Sequence, residues 1–203
     1  MTSIITGDIV NSRKIPSEDW IENLKKLLQS KGKNPIDWEI YRGDQFQLEV
    51  KNPEDALLTA LQIKAFLKNI KLDARMSIGI GTKTYNAEKI SESNGTAFVH
   101  SGEVFETLKK QKITLALNTG KPEFDKEMNL IFRLGLTFMD NWLPQAAEFI
   151  LVALDNPSFS QEEIGQKLGI NQAAVSRRQK RAQYDLMLEI DAHFRQKIKT
   201  LKV

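Results

Sequence analysis

The sequence predicts an α+β protein with a helical C-terminal part, and three observations carry that expectation. Strand-like and helix-like stretches alternate up to Pro122, a period-two hairpin is centred on Gly43-Asp44, and everything beyond Glu123 has helical periodicity. The 203 residues are 41% hydrophobic and 27% charged. A chain of this size buries roughly 70% or more of its unfolded surface, so it needs no covalent staples.

Ser3-Ile4-Ile5-Thr6 reads as a buried strand running into Gly7-Asp8. Ser17 is placed to N-cap a helix with Glu18 and Asp19 in its first turn and Trp20, Leu24, Leu27 and Leu28 along one face. Trp38, Ile40, Phe46, Leu48 and Val50 then alternate with Glu39, Tyr41, Gln45, Gln47 and Glu49 across Gly43-Asp44, the pattern of a tight hairpin. Asn52-Pro53-Glu54-Asp55 supplies a cap, a proline at the first helical position and acids for the first turn. That helix carries Leu57, Leu58, Leu61, Ala65 and Phe66. A strand over 74–81 places Met76, Ile78 and Ile80 on one face, a helix carries Phe98, Val104, Phe105 and Leu108, and Ile113, Leu115 and Leu117 suggest one more strand. The order β-α-ββ-α-β-α-β predicts helices on one face of a mainly antiparallel sheet over residues 1–122, followed by a helical unit over 123–203.

Several chemistries are excluded at once. Without cysteine there is no disulfide framework, thiol nucleophile, Cys-ligated zinc or iron–sulfur site, and His100 and His193 are too few for a histidine metal cluster. No apolar run approaches the roughly 20 residues that span a bilayer. The start, Met1-Thr2-Ser3-Ile4, lacks the basic flank of a signal peptide. The expectation is a cytoplasmic protein with no membrane partner.

The net charge of +3 is unevenly spread. Residues 160–203 hold nine Lys and Arg against five Asp and Glu, whereas the remainder hold 20 against 21. A basic tail behind a neutral unit reads either as a solvated helix or as a nucleic-acid-binding module.

Two aspartates stand out at strand ends. Asp8 ends an apolar strand and Asp44 sits at the hairpin tip, so a β-α-β-β arrangement brings both to one edge. Two such carboxylates, with the backbone carbonyl of Ile9, suit Mg²⁺, because hard cations want oxygen ligands. The alternative is that Gly-Asp is turn chemistry and Asp8 caps the turn that follows.

Here the sequence resembles known families. Thr6-Gly7-Asp8-Ile9-Val10-Asn11-Ser12 followed by Arg42-Gly43-Asp44-Gln45-Phe46 is similar to the two metal motifs of nucleotidyl cyclases, both class III and GGDEF-type. Met76-Ser77-Ile78-Gly79-Ile80-Gly81 looks like the strand after their second helix, and Gly95-Thr96-Ala97-Phe98 like the start of the next. The combination resembles the SatD family, which pairs such a fold with a C-terminal helix-turn-helix. The resemblance implies a ferredoxin-like, cyclase-type β-α-β-β-α-β domain and a Mg²⁺ or nucleotide ligand at Asp8, Ile9 and Asp44. The pattern also departs from the family. Arg42 replaces a glycine, Gln45 replaces the second acid, and Val99-His100-Ser101-Gly102 replaces the Asn/Arg pair of class III enzymes. His100 reads either as a phosphate contact or as a structural histidine. Gly79-Ile80-Gly81 and Gly120-Lys121 lack the remaining residues of a phosphate-binding loop.

The C-terminal part carries its own motif. Ser160 is an N-cap with Glu162 and Glu163 behind it, residues 161–168 form a short helix, Gly169-Ile170-Asn171 a turn, and Gln172 starts a second helix bearing Val175. Gly165 is small where two helices would cross, which completes helix-turn-helix grammar over 160–182. Asn171, Gln172 and Ser176 are placed for base edges, and Arg177, Arg178, Lys180 and Arg181 for phosphates of double-stranded DNA. A helix-turn-helix used only for packing is the alternative, favoured by polar Arg178 and Gln179 at inward positions. The stripe Met187, Ile190, Phe194, Ile198 and Leu201 packs on the 123–155 helices or against its copy in a homodimer. The sequence therefore predicts a DNA-binding transcriptional regulator whose cyclase-like domain senses a ligand or dimerises. A Mg²⁺-dependent nucleotidyl enzyme is the alternative.

Overall fold

Five strands and eight α-helices make up the computed structural model, which describes residues 1–201. The strands are β1 (Thr2–Val10), β2 (Trp38–Tyr41), β3 (Gln45–Val50), β4 (Asp73–Gly81) and β5 (Leu115–Asn118). They form one mixed sheet in the order β2-β3-β1-β4-β5, with every neighbouring pair antiparallel except β4 and β5. Helices α1 (Ile21–Gln29), α2 (Ala56–Asn69) and α3 (Thr96–Gln111) belong to the sheet, and α4 (Pro122–Met139) through α5 (Pro144–Asp155), α6 (Gln161–Leu168), α7 (Gln172–Ala182) and α8 (Tyr184–Thr200) follow. The architecture is α+β, as the sequence predicts.

Local details depart from the expectation. β1 does not stop at Thr6 but continues to Val10, because both of its edges stay paired: Asp8 faces Gln45 on one side and Arg75 on the other. The hairpin closes through three residues, Arg42-Gly43-Asp44, with Arg42 and Gly43 at φ 52° and 87°. Ser17 does not cap α1. It opens a 3-10 turn, Ser17–Asp19, and the helix begins only at Ile21.

The helices lie on both faces of the sheet, not on one. Side chains alternate along a strand, so Ile5, Ile9, Phe46, Leu48, Met76, Ile78 and Ile80 point to one side, where they share a core with Leu24, Leu57 and Leu61 of α1 and α2. Ile4, Thr6, Ser77 and Gly79 point to the other side, where α3 lies. Ile4 packs with Ala97, and the Ser101 hydroxyl donates to Thr6 Oγ1 at 2.8 Å and lies 3.0 Å from that of Ser77. The small residues of β4 let this helix settle almost onto the strand backbone: a Cβ on Gly79 would stand 2.1 Å from the Ala97 carbonyl oxygen.

The helical layer packs outside α2, and the core is continuous across it. Met128, Phe132, Phe149, Ile150, Val175 and Phe194 belong to the same buried cluster as Ile5 and Ile78. The α8 stripe is consumed in that core, with Met187, Phe194 and Ile198 buried and the Phe132 and Phe194 rings 6.1 Å apart. A buried polar cluster ties the layers further. Lys64 Nζ of α2, fully buried, lies 2.9 Å from Asp73 Oδ1 and 2.6 Å from Asp140 Oδ1 and donates to Thr114 Oγ1 at 3.2 Å. No helix is long and apolar enough to cross a membrane among the described residues.

Candidate functional sites at the hairpin edge and on α7

The first candidate site lies where β1 leaves the sheet beside the β2–β3 loop. Asp8 and Asp44 both reach this edge, and the Ile9 amide donates to the Asp44 carbonyl oxygen at 2.9 Å, which fixes the loop against the strand. Each carboxylate already has a partner. Asp8 accepts from Arg75 Nε at 2.9 Å and also from its Nη2, a two-pronged pair between directly opposed residues of β1 and β4. That hydrogen bond, chiefly, raises Arg75 above its ordinary range against the opposing effect of burial, and the charges of Asp8 and Asp44 add to it. Asp44 accepts from the Ser12 hydroxyl at 2.9 Å.

These contacts test the expected Mg²⁺ site. A divalent ion needs several free oxygens converging on one point. Both oxygens of Asp8 are engaged by a guanidinium, and Asp44 already accepts from the Ser12 hydroxyl. No group of three or more His, Cys, Asp or Glu is arranged around a common point among the described residues. As the side chains stand, they do not offer a cation a shared ligand set. Arg75 was invisible to sequence reasoning because only the β1–β4 register, 67 residues apart, sets it opposite Asp8.

His100 lies away from this edge. Its Nδ1 is 2.7 Å from the Ile80 carbonyl oxygen, a contact that braces α3 against β4.

The second candidate site is α7. A capping box at Ser160 and Glu163 starts α6, and the Glu163 carboxylate is held below the ordinary range by the Ser160 backbone and side-chain hydrogen bonds. Gly169 ends α6 at φ 66°, the left-handed conformation that glycine adopts without steric cost. Asn171 then caps α7 by accepting from the Ala174 amide at 2.9 Å. Gly165 is small because its neighbour is backbone: an added Cβ would sit 2.7 Å from the Ile170 carbonyl oxygen. Val175, on the inner face of α7, is fully buried.

The predicted DNA-contacting residues divide into two groups. Asn171, Gln172, Ser176, Arg177, Lys180 and Arg181 are exposed. Among the described residues Arg177, Lys180 and Arg181 take part in no ion pair. Arg178 points inward instead, and its Nη1 meets Glu148 Oε2 of α5 at 2.6 Å. Gln179 joins Gln161 of α6 and Asp185 of α8, at 2.8 and 2.9 Å. The two polar residues at inward positions are thus wired to neighbouring helices. Trp142, whose indole N–H donates to the Ala182 carbonyl oxygen at 2.9 Å, holds the end of α7 to the α4–α5 corner. The chain matches no protein-family model, no curated protein and no solved structure, so its function has to be read from its own residues.

Proposed function

We propose that the chain is a transcriptional regulator that binds double-stranded DNA through α6 and α7 acting as a helix-turn-helix, with the sheet unit as a cyclase-type sensor domain of the SatD kind. The carrying observation is the outer face of α7. It presents Gln172 and Ser176 near its start and Arg177, Lys180 and Arg181 behind them, with no acidic residue between Asn171 and Tyr184. Polar side chains at the start of such a helix suit base edges, and unpaired cations suit phosphates. The capped α6, the left-handed Gly169 and the close approach at Gly165 support the motif. The order β2-β3-β1-β4, with α1 and α2 as its crossovers, supports the cyclase-type reading of the sheet.

Duplex binding is expected to weaken with salt. Three unpaired bases neutralising one phosphate each give a log–log slope of about −2.7. Arg177→Ala/Lys180→Ala/Arg181→Ala should weaken binding by at least about tenfold at low salt and flatten that slope towards zero. Its stability should stay within about 0.5 kcal/mol per exposed residue. Arg178→Ala should behave oppositely, because its loss breaks the contact with half-exposed Glu148. It should lower stability by about 0.5–1 kcal/mol, a figure discounted for solvent screening, and leave the salt slope unchanged. Fluorescence anisotropy on labelled fragments from the chain's own locus measures both variants, and unchanged binding by the triple variant would sink the reading.

A further inference from the structure

We infer that the cleft beside the β2–β3 loop is an oxyanion site that works without a divalent metal, Arg75 serving Asp8 as a built-in counter-ion in the place of one. The cleft, of about 360 Å³, is lined by Ser12, Arg13, Ser17, Trp20, Arg42 and Asp44 among others. Its balance is positive, since two arginines face a single carboxylate. Neither arginine is in an ion pair among the described residues, whereas Asp44 takes the Ser12 hydroxyl.

A second, independent observation points to a ligand. Trp20 is 1% exposed, and its indole Nε1–H is buried without an acceptor. Buried donors are normally paired, and an unpaired one calls for an explanation. Trp20 is one of the residues that line the cleft, so an oxyanion that enters and parts this lining can supply the missing acceptor. Asn11 and Arg42, on the two chain segments that flank the cleft, both hold left-handed backbone at φ 63° and 52°. Paired guanidinium groups match the geometry of phosphate and pyrophosphate oxygens.

Asp8 does not join the cleft lining and is already neutralised. A cation entering at Asp8 would have to expel Arg75, leaving a guanidinium that is only 23% exposed without its partner. The cleft therefore recruits an anion directly. This inference rests on the sensor half of the proposed function and not on its DNA half, so a test without DNA separates the two.

The full chain in EDTA is titrated with sodium pyrophosphate by calorimetry, and Mn²⁺ binding is followed separately by electron paramagnetic resonance. Pyrophosphate should bind in EDTA, raise Tm by about 5 °C near saturation, and bind at least tenfold more weakly to Arg13→Ala/Arg42→Ala. The wild-type chain should take up no Mn²⁺ at Asp8. Arg75→Met should gain a Mn²⁺ site that Arg75→Met/Asp8→Asn loses, while Arg75→Lys, which keeps a cation, should still exclude the metal. Absent pyrophosphate binding, binding that requires Mg²⁺, or binding unchanged in Arg13→Ala/Arg42→Ala overturns the inference. So does wild-type Mn²⁺ uptake abolished by Asp8→Asn. Should Arg75→Met fail to fold, the wild-type titrations with and without EDTA still decide the matter.

Discussion

Replacing Lys64 by alanine should lower stability by about 3 kcal/mol, the lower end of the range for breaking a buried charge pair. That corresponds to a fall in Tm of about 6–12 °C for a chain of this length. The ammonium of Lys64 is fully buried and is shared by Asp73 of β4 and Asp140 at the end of α4. Asp73 keeps a second cation, Lys68, whose Nζ lies 2.7 Å from Oδ2, and Asp140 is 36% exposed, so neither acid is wholly stranded. For that reason the lower end applies. Lys64→Met/Asp140→Asn, which removes both ends of one pair and fills the volume, should recover most of the loss, because an apolar replacement of a buried ion pair is often neutral. Urea denaturation of the two variants measures the difference. Equal destabilisation by both would show that the loss comes from the Lys64 contacts to Asp73 and Thr114, and not from lost volume or a stranded Asp140.

Gly79→Ala should be at least as damaging, costing about 3 kcal/mol or more, beyond the ordinary cost of an added methylene. The new Cβ would stand 2.1 Å from the Ala97 carbonyl oxygen and 2.3 Å from the Ser101 amide nitrogen. Both obstacles are backbone atoms of α3, so no side-chain rotation relieves them and the whole helix must lift. Lifting it would also separate Ser101 from Thr6 and Ser77. The same substitution at Gly102, whose Cβ meets nothing within 4 Å, should be neutral or slightly stabilising, since alanine has the better helix propensity. A urea midpoint for Gly79→Ala equal to that of the wild type would refute the close approach of α3 to β4.

These glycines also show what sequence reasoning can and cannot reach. Gly79-Ile80-Gly81 was weighed above as a phosphate loop, yet its partner is a helix. The signal was the alternation of Ser77, Gly79 and Gly81 with Met76, Ile78 and Ile80, small on one face and large on the other, which marks a strand approached closely from its small side. That both faces are covered follows from it. Local grammar was legible where it is local: Ser160 caps α6 and Gly169 ends it as their chemistry dictates, and Asn52 and Pro53 act as cap and first residue of a 3-10 turn, Pro53–Asp55, with α2 beginning only at Ala56. Contacts set by distant register were not. Arg75 meets Asp8 across β1–β4, and Arg178 meets Glu148 of α5 across 30 residues. Both contacts bear on a candidate residue: Asp8 is half of an ion pair, and Arg178 is tied to a neighbouring helix. Arg177, Lys180 and Arg181 fall on the outer face of α7 by helical periodicity alone, opposite buried Val175.

The core shared by the sheet and the helical layer should make the chain unfold as one cooperative unit. Apolar faces of α4 and α5 would be bared in a fragment starting at residue 123, because Phe132, Phe149 and Ile150 are covered by the same cluster that holds Ile78 and Leu61. Calorimetry should therefore give a single heat-absorption peak whose calorimetric and van't Hoff enthalpies agree. Under that condition free energy gained by an anion in the cleft is not confined to the hairpin edge. It raises the unfolding free energy of the entire chain, α7 included, by RT ln(1 + [L]/Kd), about 2.7 kcal/mol at a hundredfold excess over Kd. Occupancy at the cleft would then be read as resistance of the distant α7 amides to hydrogen exchange, with no shift in the position of any helix.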